Sequence, residues 1–217
     1  MLRLLVFDLD GTLVDSHRDL ADATNTLLVE LGGAPLAPET VASMVGDGAA
    51  VLVRRALTRA GLDPDTPGAL DRFLAHYDER LLATTMPYDG MVETLDRLRP
   101  AYRLAVLTNK PSRATSRVLA GLGLADRFDG VIGGDTEHGR KPNPAGMLAL
   151  VASAGVRPDE TMLVGDSPID LATARRAGVH VCLARYGFGY RFDAGDFDGT
   201  ESFIDRPEDL MSEVARR

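Results

Sequence analysis

Five short apolar runs along the chain each stop at a polar or glycine-bearing turn. Leu4, Leu5, Val6 and Phe7 lead into Asp8, Leu9, Asp10 and Gly11, and Leu104 to Leu107 stops at Thr108 and Asn109. Val131 and Ile132 stop at Gly133 and Gly134, Met162 to Val164 at Gly165 and Asp166, and Val179 to Leu183 before Gly187. Short runs that do not alternate with polar residues are what strands buried on both faces require. Between them apolar residues recur at helical spacing: Val92, Leu95 and Leu98; Val118, Leu119 and Leu122; Met147, Leu148 and Val151; Leu171, Ala174 and Ala177. The alternation predicts βαβ units and an open parallel sheet covered on both faces, with ligands bound beyond the carboxyl ends of its strands.

The segment after the first strand follows a different period. From Ser16 to about Leu82 no strand-like run occurs, and the apolar residues fall near every 3.6 positions: Leu20, Ala23, Leu27 and Leu31; Val51, Ala56 and Ala60; Leu70, Phe73, Leu74, Tyr77 and Leu81. Ser16 with Asp19 three residues on resembles an N-capping arrangement, and Asp47 before Gly48 offers a second helix start. Turn chemistry at 84–90 (TTMPYDG) returns the chain to the sheet. The expectation is an α/β fold: a Rossmann-like parallel-sheet core of residues 1–14 and 85–217, with an all-helical cap domain of residues 15–84 inserted after the first strand.

Composition narrows the function classes. Among 217 residues, 32 acidic side chains outnumber 24 basic ones, and residues 15–81 hold 6 basic against 11 acidic. No cationic stripe is present for a phosphate backbone, so nucleic acid is not an expected partner. The apolar opening is too short for a signal peptide or a membrane span, and the lone Cys182 excludes an intrachain disulfide. A cytoplasmic protein with no membrane partner is expected. Only two of the basic residues, Lys110 and Lys141, are lysines against 22 arginines. A lysine kept in such a background points to a need for its compact ammonium.

Asp8 and Asp10, two apart at the end of the first strand, place two carboxylates on one face, which is unfavourable without a cation or an acid–base task. Gly11 lets the chain turn there. DLDGTLVDS at 8–16 resembles the first motif of the haloacid dehalogenase superfamily. Thr108 with Asn109 resembles the second, Lys141 before Pro142 the third, and GDSPID at 165–170 the fourth. The resemblance spans essentially the whole chain. It implies an Mg²⁺-dependent phosphomonoesterase acting through an aspartyl-phosphate. Asp8 would be the nucleophile and Asp10 the general acid. Thr108 and the Asn109 backbone N–H would hold the transferring oxygens, and Lys141 would neutralise Asp8 and phosphate. Asp8, Asp10 (by its carbonyl), Asp166 and Asp170 would form the metal cage. In that superfamily the second carboxylate, Asp10, separates phosphatases and phosphomutases from dehalogenases.

The cap stretch VGDGAAVLVRRAL at 45–57 and the MPYDG return are similar to phosphoglycolate phosphatases, which implies 2-phosphoglycolate as substrate. Gly46, Asp47 and Gly48 would then face its anionic group, with Arg54 or Arg55 adding charge. A β-phosphoglucomutase-like phosphotransferase or a sugar-phosphate phosphatase is the alternative, and a non-catalytic phosphate-binding regulator the third option. The cap has no lysine, as a Schiff-base phosphonatase would need. Lys110 is open between substrate contact and a solvated cation, while Arg140 reads as structural. His17, His76, His138 and His180 lack metal-ligand spacing, although His17 starts the lid. The Gly-rich aromatic segment 187–200 reads as a surface loop before a final strand at Phe203, Ile204 and Asp205, with no chemistry assigned. Oligomeric state has no signature in the sequence.

Overall fold

The computed structural model describes residues 1–217, apart from the side chain of Ala194. Its strands are β1 (Leu4–Phe7), β2 (Val14–Asp15), β3 (Met86–Pro87), β4 (Arg103–Leu107), β5 (Gly130–Ile132), β6 (Thr161–Gly165), β7 (His180–Ala184) and β8 (Ser202–Ile204). Six of them form a parallel sheet in the order β5, β4, β1, β6, β7, β8. β1 sits in the middle, with Phe7 beside Val106 on one side and Val164 on the other.

Both faces of β1 are covered, which is why its sequence does not alternate. Leu5 and Phe7 point into one apolar cluster, Leu4 and Val6 into the other, and all four are at most 1% exposed. Burying each such side chain stabilises the fold by about 1.5–3 kcal/mol. The first cluster is closed by α5 (Met91–Leu98), α6 (Ser112–Gly121) and α9 (Leu210–Ala215), the second by α7 (Ala145–Ala154) and α8 (Pro168–Ala177). Where β1 lies between β4 and β6, the carboxyl edge of the sheet opens the crevice that such sheets use for ligands.

Four helices lie between β2 and β3: α1 (His17–Glu30), α2 (Pro38–Ala42), α3 (Ala49–Arg59) and α4 (Ala69–Arg80). α1 packs on α2 and α4, and Leu27, Leu57, Phe73 and Tyr77 fill the space between them. No helix among the described residues is long and apolar enough to cross a membrane.

The structure departs from the sequence expectation in several places. The return at 84–90 is half of a two-stranded antiparallel ribbon, in which Val14 pairs with Pro87 and Asp15 with Met86. Ser16 precedes α1 without capping it, and its hydroxyl turns instead to Asp10, 2.6 Å away. Asp19 ties the two ends of the insert together. Its buried carboxylate accepts from the Thr84 N–H (3.0 Å) and Oγ1 (2.8 Å), and from the Thr85 N–H (2.8 Å) and Oγ1 (2.7 Å). Asp47 leaves the start of α3 uncapped and pairs with Arg55 at 2.6 Å.

The last strand ends one residue before the expected Asp205, whose N–H donates to the Asp209 carboxylate at 3.2 Å. Segment 187–200 is the expected surface loop, and its aromatic side chains anchor it. Tyr190, Phe192, Phe197 and Phe203 form a chain of rings with centroids 4.9–5.2 Å apart against the second cluster.

Candidate active site

Four loop segments meet at the carboxyl edge of the sheet, each carrying groups that the strand before it fixes. Asp8 leaves β1 with its N–H donating to the Val164 carbonyl at 2.9 Å, and its Oδ1 accepts from the Leu9 N–H at 2.7 Å. Lys141 reaches in from the loop before α7, with Nζ 2.8 Å from Asp8 and 2.7 Å from Asp170. Asp170 stands in the first turn of α8 and accepts with its other oxygen from the Ser167 N–H (3.0 Å), the Ser167 Oγ (2.6 Å) and the Asp166 N–H (3.2 Å). Asp166 follows β6 and accepts from the Gly189 N–H at 2.7 Å and the Thr12 hydroxyl at 3.3 Å.

Asp10 turns away to a different ammonium. Lys110 Nζ lies 2.9 and 3.1 Å from its two oxygens and 2.5 Å from the Tyr77 hydroxyl of α4, and it sits 4.5 Å from the centre of the Tyr77 ring. The side chain of Lys110 is 3% exposed, so the solvated reading of this residue is wrong. Its environment explains why a lysine is retained there: a compact ammonium can donate to three oxygens grouped around one point.

Thr108 Oγ1 accepts from the Lys110 N–H at 3.2 Å, which leaves its own proton free to donate. Asn109 was expected to act through its backbone N–H, but its side chain also has a task. Nδ2 donates to the carbonyls of Gly46 (2.8 Å) and Lys141 (3.0 Å), while Oδ1 accepts from the Lys141 N–H at 2.7 Å. The amide thus joins the insert, the loop after β4 and the loop carrying Lys141.

The electrostatics follow from burial. Desolvation pushes the Asp8 carboxyl up to about 6, against the pull of Lys141 and with a further push from Asp170. Burial also drives Asp166 well above the ordinary range, and Asp170 and Asp8 add to it. For Lys141 and Lys110 burial favours the neutral form, but their carboxylate partners outweigh it and hold both protonated. Burial pushes the Tyr77 phenol up to about 12, so it keeps its proton.

Oxygens of Asp8, Asp166 and Asp170 all lie within 4.8 Å of one another. These three carboxylates share one ammonium, Lys141, so the group carries an excess of two negative charges when ionised. Such an all-oxygen, charge-deficient set is what a hard divalent cation satisfies. Asp166 is further confined by glycine: a Cβ at Gly11, Gly187 or Gly189 would overlap its carboxylate, and Gly11 is held at φ +89°.

The cavity that Asp8 and Asp10 share has a volume of about 60 Å³. Asp8, Asp10, Thr108 and Lys110 form its floor, and Gly46, Gly48, Leu52, Phe73 and Tyr77 of the insert form its roof. Asp47 and Arg54 are not brought into it. Leu52, Val53, Ala56 and Leu57 bury one face of α3, which turns Arg54 outward to pair with Asp65. Arg55 takes the Met44 carbonyl at 3.1 Å as well as Asp47. Arg140 donates to the Gly134 carbonyl at 3.2 Å, the structural role expected of it. A wider cleft of about 830 Å³ runs beside the β2–β3 ribbon past His17, Tyr88 and Glu208. It contains none of the converging groups, so the smaller cavity is the candidate site.

Sequence reasoning missed Tyr77, Ser16 and Gly189. Tyr77 was hidden in an apolar stripe, Ser16 in a capping pattern, and Gly189 acts through a backbone N–H that no side chain advertises. Its only signal was the cluster of glycines at 187–189 just after a strand.

Two strand-end carboxylates, two buried ammoniums and an acidic cluster able to hold a cation thus converge at the carboxyl edge of the sheet. Residues 5–184 match the family of haloacid dehalogenase-like hydrolases. The phosphoglycolate phosphatase of Rhodospirillum rubrum is 46% identical over 196 residues, covering 87% of this chain and 81% of that one. The phosphoglycolate phosphatase of Colwellia psychrerythraea is 36% identical, covering 98% of this chain and 97% of its own. A crystal structure described as a predicted phosphoglycolate phosphatase from Haemophilus somnus superposes with a TM-score of 0.90 at 31% identity, covering 98% of both chains. The chain belongs to the haloacid dehalogenase-like hydrolases, and within them it is a phosphatase.

Proposed function

We propose that this phosphatase hydrolyses 2-phosphoglycolate, with Mg²⁺ as its cation and an aspartyl-phosphate as its intermediate. The observation that carries this reading is the pair Asp8 and Asp10, each held by its own buried ammonium on the floor of one small cavity. In the first step an Asp8 oxygen attacks phosphorus in line, the bond from phosphorus to the ester oxygen breaks, and Asp10 gives that oxygen its proton. In the second, Asp10 takes a proton from water as the water attacks phosphorus. The bond to Asp8 breaks, inorganic phosphate leaves, and both carboxyl groups are restored.

Lys141 offsets charge on Asp8 and on the phosphate, and the Thr108 hydroxyl donates its free proton to a transferring oxygen. Asp8, Asp166, Asp170 and the Asp10 carbonyl would hold Mg²⁺, which when bound neutralises charge on the phosphoryl group in transfer. Residues 15–84 act as a cap domain on a core of residues 1–14 and 85–217. In the closed arrangement the cap shields the charged groups from bulk solvent, which strengthens their action on the phosphoryl group.

Two arguments support the substrate. The curated relatives above are phosphoglycolate phosphatases. The N–H groups at 46–50 open α3 toward the cavity without a side-chain cap, a suitable place for the substrate carboxylate. The buried, unpaired Cys182 suits a reducing cytoplasm.

The test is phosphate release, with Mg²⁺ and with EDTA, from 2-phosphoglycolate, β-glucose 1-phosphate, other sugar phosphates, a nucleoside monophosphate and an aryl phosphate. Selective, EDTA-sensitive release from 2-phosphoglycolate is the expected result. Broad weak hydrolysis would refute the substrate, and glucose 6-phosphate formed from the 1-phosphate without phosphate release would make the protein a phosphotransferase.

A further inference from the structure

Lys110 and Tyr77 have no part in the steps above, yet Lys110 pairs with both oxygens of Asp10 and Tyr77 holds Lys110. We propose that they form one positioning device for the Asp10 carboxyl, which is complete only when the insert lies on the core. This inference rests on the reading of Asp10 as the proton donor to the leaving group. Its parts come from three places in the chain: Asp10 follows β1, Lys110 follows β4, and Tyr77 belongs to α4 of the insert.

Three oxygens surround the Lys110 ammonium, two from Asp10 and one from Tyr77, and they account for its three N–H donors. Ser16 Oγ, at the entry to α1, donates to the same Asp10 Oδ1 at 2.6 Å. Asp10 is therefore gripped from the core by Lys110 and from the hinge by Ser16, and the insert locks the lysine in turn.

The grip has no slack. The side chain of Lys110 is 3% exposed and Tyr77 4%, and the Tyr77 ring is stacked on Phe73 with centroids 5.8 Å apart. Lifting the insert would take the Tyr77 hydroxyl and ring away from Lys110 and expose the ammonium to water. Its hold on Asp10 would then become one exposed ion pair, which is weak. Closure over a substrate restores the geometry, so the Asp10 carboxyl is held in place over the leaving group only when the cavity is sealed. Lys110 and Tyr77 are positioning residues, since they act on the reaction through Asp10.

A device that positions a proton donor leaves a signature that a merely structural contact does not. An alkyl ester such as 2-phosphoglycolate releases a poor leaving group that needs the proton, whereas p-nitrophenyl phosphate releases one that departs largely without it. Tyr77→Phe keeps the ring and its packing on Phe73, and Lys110→Met keeps the bulk and removes the charge. The kcat for 2-phosphoglycolate should fall about tenfold in Tyr77→Phe and about 100-fold in Lys110→Met, within the range general acids supply. The fall for p-nitrophenyl phosphate should be at least about fivefold smaller in each.

Lys110→Arg, which keeps the charge, guards against misfolding of the Met variant and should recover part of the selective loss. Asp10→Asn is run beside them. If it shows the selective loss while the Tyr77 and Lys110 variants lose both substrates equally or lose neither, the device is refuted and the Asp10 reading stands. If Asp10→Asn itself fails to distinguish the two esters, the acid assignment and the device fall together.

Discussion

Replacing Asp19 by alanine removes the acceptor on which both ends of the insert are tied. The Thr85 N–H and hydroxyl, 2.8 and 2.7 Å from the carboxylate, are buried, and the N–H has nowhere else to turn. A buried donor left without a partner costs about 1–3 kcal/mol. Thr84 is exposed, so water takes over part of its two contacts, and about 1 kcal/mol is assigned to them. The sum is about 3 kcal/mol. With a urea m-value of about 2.5 kcal/mol/M the midpoint should fall by about 1.2 M.

The loss should also depend on pH in a defined direction. Burial alone would raise the Asp19 pKa, but the four donors from Thr84 and Thr85 outweigh it and hold the group below 3.8 in the folded protein. A lowered carboxyl pKa contributes stability that is present above the unfolded value and lost as pH falls through the folded one. The gap between wild type and Asp19→Ala should therefore be constant above about pH 5 and close below 3.8. Urea titrations of both proteins at pH 7, 5 and 3 measure it. A midpoint shift under about 0.3 M at pH 7, or a gap as wide at pH 3 as at pH 7, would refute the assignment of Asp19 as the tie.

Asp8→Asn should leave the thermal melt cooperative and reduce phosphate release at least about 1,000-fold; residual turnover above that level would displace Asp8 as nucleophile. Mg²⁺ at 100 times its Kd should stabilise the protein by about 2.7 kcal/mol in thermal melts, EDTA should abolish the effect, and Asp166→Asn should weaken the concentration dependence. Gly11→Ala forces a left-handed residue to carry a Cβ into the Asp166 carboxylate, so calorimetric Mg²⁺ affinity should drop at least tenfold, whereas Gly123→Ala, with φ +68° and open space around it, should affect stability alone. Arg54→Ala should change KM for 2-phosphoglycolate less than twofold, because its partner is Asp65 on the outer surface.

The parallel sheet could be read from the sequence because burial on both faces writes an uninterrupted run, as in Leu4 to Phe7, and the charged motifs stood where those runs ended. The insert's helices were equally open to reading, since Leu27, Phe73 and Tyr77 keep the period of a packed face. Pairings between distant segments were not. Ser16 and Asp19 match a local capping pattern, but the partners that won were Asp10 across the hinge and Thr84 and Thr85, 65 and 66 residues further on. A phenol in an apolar stripe looks the same whether its hydroxyl meets water or Lys110. Arg54 is a different case: the stripe Val51, Ala56 and Ala60 predicts a face that the structure shifts to Leu52, Val53, Ala56 and Leu57, and that shift puts Arg54 on the opposite side.

Both lysines of this chain are sealed inside, at 3% and 1% side-chain exposure, while the twenty-two arginines supply its outer cations. To an amine-specific reagent the side chains of the folded chain are nearly blank. Lys110 is roofed by the insert, so its rate of acylation counts openings of the lid. A mass spectrum of briefly labelled protein would thereby report lid motion without any engineered probe.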